Sequence, residues 1–139
     1  SLSLVELCRR DDLVLDLSTT HYVDHWITPI GENRRFDTRF FVTLAPPDQE
    51  GLHDDKETVE SLWVRPSDAL EMHERGELLM LPPTVYNLKF LAEHHTAAEV
   101  IAAGDARRDI PCILPKMRTT DEGKFIGIAL PGDPDYDAL

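Results

Sequence analysis

The sequence is poor in cysteine and in basic residues, and each shortage excludes a class of protein. Its 139 residues include two cysteines, Cys8 and Cys112, which lie far apart along the chain. A disulfide framework is therefore not expected, and a reducing, cytoplasmic setting is the default. Lys and Arg number 14 against 26 Asp and Glu, which gives a net charge of −12. Because nucleic acids and anionic membranes both attract cationic proteins, neither partner is expected.

Long apolar runs and common nucleotide motifs are absent too. No window approaches the roughly 18 consecutive apolar residues of a membrane-spanning helix. Residues 1–8 have neither a basic leader nor a long apolar stretch, so no secretory signal is expected. Neither G-x-G-x-x-G nor G-x-x-x-x-G-K-[ST] occurs, which excludes two nucleotide-binding loops from this chain. The 42% of apolar residues is nevertheless enough for the core of one domain of about 100–150 residues.

Composition and alternation predict strands in six segments. Residues 35–44 form the clearest one, because mostly apolar side chains alternate along it with mostly polar ones. Aromatic side chains on both faces predict a central position in a sheet. A hairpin turn is predicted at residues 119–123. The other predicted segments are a buried strand or turn at 13–17 and strands at 21–27, 57–64, 112–117 and 124–130.

Four helices are predicted from capping residues and prolines. Ser3 caps a short first helix, and Gly76 ends the second. The predicted starts of the last three are Pro66 or Ser67, Pro82-Pro83-Thr84, and a Thr96–Glu99 capping box whose helix ends at Gly104. Strands and helices mix without a regular βαβ rhythm. The predicted fold class is therefore α/β in the broad sense, an α+β fold with a mixed sheet and flanking helices.

Two groups of side chains are candidates for metal binding. His21 and His25 share a face if their segment is a strand, and two imidazoles with a carboxylate can bind a metal; ordinary polar strand residues are the favoured interpretation. His94 and His95 suit the C-terminal end of a helix, where imidazolium complements the dipole. A further group comprises the acids Asp54, Asp55, Glu57 and Glu60, which Mg²⁺ would accept but which are more typical of a solvated loop.

Three arginines stand close together in this acidic chain. Arg34, Arg35 and Arg39 fall within six residues. Guanidinium groups bind phosphate oxygens in pairs, so one interpretation is phosphate or pyrophosphate recognition. The favoured alternative is internal ion pairing with the many acids, since strand alternation places Arg35 and Arg39 on the same face as Asp37.

Ordered motifs give the chain a family resemblance over about residues 3–136. HWITP at 25–29 precedes RRFDTRFF at 34–41, and ETVESLWVRPSDAL occupies 57–70. GEL at 76–78, LPPT at 81–84 and LPGDPDY at 130–136 follow in order. The sequence thereby resembles the C-terminal portion of Nudix hydrolases of the coenzyme A diphosphatase-like type.

The resemblance implies a Nudix-like mixed sheet whose N-terminal part is missing, hence one incomplete domain over residues 1–139. The family motif G-x5-E-x7-R-E-U-x-E-E-x-G-U (U, a bulky aliphatic residue) carries the carboxylates for Mg²⁺ or Mn²⁺, and it would normally precede residue 1. Gly51, Glu57 and Arg65 match three of its positions. Pro66 and Ala69 then replace required glutamates, so the partial match is interpreted as coincidence.

The resemblance also assigns expected roles to residues. Arg34, Arg35, Arg39 and Trp26 are the expected substrate-binding residues, although Trp26 and Phe41 are also typical of a core. Glu57 and Glu60 are the expected late ligands of the metal, and no catalytic residue is expected within the chain. The expected ligand is a nucleoside-diphosphate-linked molecule such as coenzyme A or NADH, cleaved at its pyrophosphate, with the isolated chain inactive.

Two alternatives stay open beside a hydrolase fragment. One is a non-catalytic, Nudix-derived binding module that forms dimers through exposed sheet edges, since open edges favour pairing with another copy. The other is an unrelated metalloprotein that uses His21, His25 and the acidic loop. If the chain is a hydrolase fragment, the missing N-terminal half, supplied by the same or a second chain, would restore activity. It would not do so under either alternative.

Overall fold

A three-stranded sheet forms the centre of the fold in the computed structural model, which describes residues 2–46 and 62–139. β1 (His21–Ile27) is the middle strand, with β2 (Asp37–Val42) antiparallel on one side and the short β3 (Cys112–Ile113) parallel on the other. Cross-strand pairing sets Trp26 opposite Thr38 and, on the other edge, Ile113. The sheet places both the predicted tryptophan and the arginine-rich loop between β1 and β2 at one end.

The described residues form four helices, each at a predicted start. They are α1 (Leu4–Arg10), α2 (Pro66–Glu74), α3 (Pro82–Ala92) and α4 (Ala97–Ala106). Ser3 and Glu6 form a reciprocal capping box on α1, and Thr96 Oγ1 accepts a hydrogen bond from the Glu99 amide of α4. Gly76 follows α2 with a φ of +74°, a conformation that favours glycine. Helices and a mixed sheet together confirm the predicted α+β class.

A second sheet is a hairpin near the C-terminus. It consists of β4 (Lys116–Thr119) and β5 (Phe125–Ala129), which are antiparallel, and a final 3-10 turn spans Tyr136–Ala138. The turn predicted at residues 119–123 joins the two strands. No helix in the described part of the chain has the length and apolar character needed to cross a membrane.

The core lies where α3 and α4 cover the inner face of the sheet. Val23 is 1% exposed and Trp26 3% exposed. Gly104 is the point of closest approach, since a Cβ placed on it would lie 3.0 Å from Val42 Cγ2 and 3.1 Å from His21 Cβ. The prediction that Gly104 ends its helix is therefore wrong. The helix continues to Ala106, and the glycine is needed where α4 meets the strands.

Several strand predictions need correction. Residues 13–17 have no regular structure, and Val14 is 91% exposed, because an apolar run alone does not show what buries it. The predicted strand at 112–117 is broken into β3 and β4 around Pro115, which has no amide hydrogen for a ladder. The strand predicted at 35–44 is shortened to β2, and among the described strands β1 rather than β2 has a partner on both sides.

Residues 62–64 of the strand predicted at 57–64 have no regular structure, and they are exposed. The rest of that segment lies outside the described residues. On β2, the exposed face contains Asp37, Arg39 and Phe41, as alternation predicts. Phe41 is therefore not a core residue: it is 57% exposed and stacks on Tyr22 at 5.4 Å between ring centroids.

Candidate functional site

An apolar cavity of about 670 Å³ lies between the first sheet, the start of α3 and the hairpin. Its position follows from the fold, because the inner faces of β1 and β2 meet side chains of β4 and β5 there. The residues that line it are Trp26, Ile27, Thr28, Pro29, Glu32, Arg34, Phe36, Thr38, Phe40, Leu81, Pro82, Pro83, Pro115, Met117, Phe125, Gly127 and Ile128. An apolar space with a few polar groups is typical of a small-molecule site.

Trp26 forms a fixed part of this wall. Its indole Nε1 donates a hydrogen bond of 2.6 Å to Asp24 Oδ2, and its ring meets Tyr86 edge-on at 5.2 Å. Asn87 Nδ2 of α3 donates to the same carboxylate oxygen at 3.4 Å. The indole is therefore held by both the sheet and α3, and it acts as a core residue and a cavity wall at once.

Within the described part of the chain, Arg34 and Glu32 are the charged residues that line the cavity. Both are exposed, so they lie at its mouth rather than in its depth. The Arg34 guanidinium carbon lies 4.9 Å from the Phe36 ring centroid, a cation–π contact that directs the side chain along the wall. The Arg34 cation suits the anionic end of a ligand whose apolar end enters the cavity, whereas the Glu32 carboxylate disfavours that anionic end.

The other two predicted arginines point elsewhere. Arg35 Nε donates a 2.9 Å hydrogen bond to the Thr28 carbonyl oxygen, which ties the loop between β1 and β2 to the end of β1. Arg39 Nη1 donates to Asp37 Oδ1 at 3.1 Å on the outer face of the sheet. The three arginines thus do not surround one cavity. A phosphate role for Arg35 and Arg39 stays a prediction.

The two strand histidines are separated by an irregularity. The register of β1 against β2 shifts between Tyr22 and Asp24, so a bulge interrupts the alternation. His21 Cβ lies against Gly104 on the inner side, with His21 Nδ1 3.5 Å from Asp105 Oδ1. His25 instead contacts Asp37 Oδ1 through Nε2 at 2.6 Å on the outer side. The shared face on which the His21–His25 metal hypothesis depended is not formed.

No group of three or more His, Cys, Asp or Glu side chains in residues 2–46 and 62–139 has a geometry suited to a metal ion. The predicted ligands Glu57 and Glu60, with Asp54 and Asp55, lie outside the described residues. The described residues therefore do not fit the Mg²⁺ or Mn²⁺ that the family resemblance implies, and no chemical step through a metal is derived from them.

A larger cleft of about 850 Å³ lies between the end of β2 and the starts of α2 and α4. Arg65, His94 and His95 contribute to its lining. His94 Nε2 is buried there, and none of the described residues forms a hydrogen bond with it. It includes none of the expected substrate-binding residues. The smaller apolar cavity contains both Trp26 and Arg34, and it is the stronger candidate for a ligand site.

The hairpin wall of the cavity was missed by the sequence reasoning. Met117, Phe125 and Ile128 line the cavity although the chain separates them from Trp26 by about 90 residues or more. The LPPT motif at 81–84 gave a signal for the α3 wall, because it is part of the family resemblance. No local pattern signals that a distant hairpin closes the other side.

Comparison with known proteins assigns the family. The model described as NUDT19 Nudix domain matches residues 1–91, which include β1, β2 and the arginine-rich loop. This chain belongs to the NUDT19 Nudix family. The resemblance to Nudix hydrolases of the coenzyme A diphosphatase-like type is thereby confirmed, and the α+β fold described above is the Nudix-like one that was predicted.

Several curated relatives have the same printed name, acyl-coenzyme A diphosphatase NUDT19. The protein from Homo sapiens is 30% identical over 136 residues, covering 95% of this chain and 36% of the relative. The protein from Gallus gallus is 30% identical over 147 residues, covering 95% and 38%. The Xenopus laevis protein is 26% identical over 91 residues, covering 63% and 24%. The chain thus spans little more than a third of the first two relatives and about a quarter of the third. No solved structure matches it.

Proposed function

We propose that this chain forms part of a Nudix hydrolase that cleaves the pyrophosphate of a coenzyme A-type substrate. The printed names of the relatives support this substrate class. The observation that carries the proposal is the apolar cavity with Arg34 at its mouth. An acyl-coenzyme A molecule has an apolar acyl end and an anionic pyrophosphate, which are the two characters that the cavity and its mouth complement.

In such a reaction water attacks one phosphorus, the bridging P–O bond breaks, and two phosphate monoesters leave. We assign the described residues a binding role in it. The walls built on Trp26 and Phe40 exclude water from the acyl end, which favours apolar ligands by about 25 cal/mol for each Å² buried. Arg34 supplies a positive charge towards the phosphates, as charge-assisted hydrogen bonds require.

Binding of octanoyl-coenzyme A and of free coenzyme A to the 139-residue chain, measured by calorimetry, tests this proposal. Octanoyl-coenzyme A should bind at least about tenfold more tightly, because several methylenes enter the cavity. Arg34→Ala should weaken both ligands about tenfold. Arg75→Ala is the matched control, since Arg75 pairs with Glu71 on α2 and with Glu77 just beyond that helix, and it does not line the cavity. Equal affinity for the two ligands would contradict the assignment.

The same titration tests whether all three arginines contact phosphate, as the sequence predicts. The variants Arg35→Ala and Arg39→Ala are measured beside Arg34→Ala. Losses comparable to that of Arg34→Ala would support the three-arginine site. Losses confined to Arg34→Ala would restrict the phosphate contact to the cavity mouth, where the geometry favours it.

Metal use and activity form a second part of the proposal. We infer that the chain alone does not turn over coenzyme A, NADH or ADP-ribose, since its described residues lack a metal cluster. A Mg²⁺- or Mn²⁺-dependent assay on the purified chain tests this, and turnover above a heat-inactivated sample would overturn it. If turnover occurs, Glu57→Gln and Glu60→Gln should abolish it, as expected for metal ligands.

A binding module that dimerises is the second candidate function. It is favoured by large apolar side chains on the surface, with Val14 91% and Trp63 83% exposed. Light scattering at several concentrations would measure the mass, and a monomer at all of them would exclude this candidate.

A cytoplasmic location also stays a proposal; the free thiols of Cys8 and Cys112 are in keeping with a reducing compartment.

A further inference from the structure

The β4–β5 hairpin contributes to the cavity but does not pair with the first sheet. Its strands bond only to one another within the described residues. An isolated two-stranded hairpin is at best marginally stable in water. Met117, Phe125 and Ile128 nevertheless form one wall of the apolar cavity. Something other than backbone pairing to the first sheet must therefore hold this wall in place.

The segment after β5, residues 130–136, makes a dense set of contacts with one side chain of the hairpin. Arg118 donates to both carboxylate oxygens of Asp135, each at 2.7 Å, and to Asp133 Oδ2 at 2.8 Å. A further Arg118 nitrogen donates to the Ile128 carbonyl oxygen on β5. Asp133 Oδ2 also accepts from the Leu130 amide at 3.0 Å, which closes the turn of the segment. One guanidinium thus joins both strands to the tail.

The tail (residues 130–136) also forms hydrogen bonds with residues at the beginning of β4. The Tyr136 hydroxyl donates to the Leu114 carbonyl oxygen at 2.7 Å, and Lys116 Nζ donates to the Tyr136 carbonyl oxygen at 2.8 Å. The same Lys116 Nζ lies 4.5 Å from the Tyr136 ring centroid. Lys116 and Arg118 therefore contact the tail, while Met117 between them lines the cavity, as strand alternation requires.

We propose that residues 130–136 act as a latch, and that Arg118 is a positioning residue that holds the hairpin wall of the cavity and so sets its affinity for the apolar end of a ligand. The ligand part of this inference rests on the proposed function. The latch itself rests on the contacts of Arg118 and Tyr136, and it is testable with no ligand present.

Hydrogen–deuterium exchange of the full chain is the test without ligand. Arg118→Gln should speed exchange of the β4 and β5 amides about tenfold or more and leave β1 unchanged, because local opening is governed by local contacts. Arg75→Gln, which removes another arginine–carboxylate pair, should change neither region. Unchanged exchange in β4 and β5 would overturn the latch. Should Arg118→Gln unfold the chain, Tyr136→Phe removes one hydrogen bond and should show the same regional pattern.

Calorimetry with octanoyl-coenzyme A and coenzyme A tests the positioning role. Arg118→Gln should weaken octanoyl-coenzyme A about fivefold or more and coenzyme A less than about twofold, because only the acyl end meets the hairpin. Arg118→Lys should recover part of the loss. Asp135→Asn should reproduce the effect, and the double variant should show little additional loss because the two residues act as one unit.

The two tests distinguish a failed latch from a failed function. If the unchanged chain does not bind octanoyl-coenzyme A, the proposed function fails, and regional exchange alone decides the latch. If it binds and Arg118→Gln weakens both ligands equally, the positioning role is overturned, since general destabilisation has no preference for the acyl end.

Discussion

The three-stranded sheet and the C-terminal hairpin are held in place by different interactions. In the sheet, Val23 and Trp26 are almost fully buried, and α4 packs onto the strands at Gly104. In the hairpin, Phe125 and Ile126 of β5 are 58% and 62% exposed. Hydrogen bonds from Arg118 of β4 to Asp135 connect the hairpin to the tail. The sheet depends mainly on packing, whereas the hairpin contributes the small buried side chain of Ala129 to the core and depends mainly on charged hydrogen bonds. The cavity between them therefore has one rigid wall and one wall whose position depends on a few polar side chains.

The largest effect should follow from removing the packing of the first region. Trp26→Ala should lower the free energy of unfolding by about 3–5 kcal/mol, because it leaves a cavity and removes the hydrogen bond from the indole to Asp24 Oδ2. Trp63→Ala is the matched control, since Trp63 is 83% exposed, and it should change stability by less than about 0.5 kcal/mol. Urea denaturation followed by circular dichroism measures both. Equal effects at the two tryptophans would contradict the assignment of Trp26 to the rigid wall.

A smaller loss should follow from forcing α4 away from the strands. Gly104→Leu should cost about 1–3 kcal/mol, because its Cβ alone would lie 3.0 Å from Val42 Cγ2. Ala102→Leu, at an exposed position of the same helix, supplies the control and should be close to neutral. The shift in thermal midpoint reports the difference. If both substitutions were neutral, the close approach of α4 would not support the sheet.

Gly104 also shows what sequence reasoning gives and where it stops. Prolines and capping residues predicted the start of each helix, because these signals act within a few residues. A glycine in a helix has two explanations, a helix end or a close contact, and only the packing against Val42 distinguishes them. The apolar run at 13–17 raised the same difficulty, since burial depends on a partner that the local sequence does not specify.

The candidate site could be predicted only in part, namely for the residues that lie in recognisable motifs. Trp26 and Arg34 were predicted as substrate-binding residues from the motif resemblance, and both line one cavity. Strand alternation placed Arg39 and Asp37 on the same face and predicted an ion pair between them, and the structure has this pair. Arg118 was not singled out, although the family resemblance included its partners Asp133 and Asp135. Its contacts join residues 10 to 17 positions apart across a hairpin and a turn, which no local spacing rule connects.

Acid should weaken the contacts that hold the hairpin. Hydrogen bonds from Arg118 lower the pKa of Asp135, so the pair stabilises the folded state when the carboxylate is charged. That contribution is complete above the unfolded pKa of about 3.9 and is lost as pH falls through the lower folded pKa. The β5 amide resonances should therefore shift in NMR spectra as pH falls below about 4. Asp135→Asn should remove this pH dependence, and an unchanged dependence in that variant would contradict the role of the Arg118–Asp135 pair.

The smallest effect should come from an arginine–aspartate pair in the first region. Arg39 and Asp37 are each about half exposed, with Arg39 Nη1 3.1 Å from Asp37 Oδ1. Exposed pairs contribute about 0.2–1 kcal/mol at most, and Asp37 keeps its 2.6 Å contact with His25 when Arg39 is removed. Arg39→Ala should therefore change the free energy of unfolding by less than about 1 kcal/mol and leave hydrogen exchange of β1 unchanged. A loss of β1 protection comparable to that of the hairpin in Arg118→Gln would show that charged contacts, rather than packing, hold both regions.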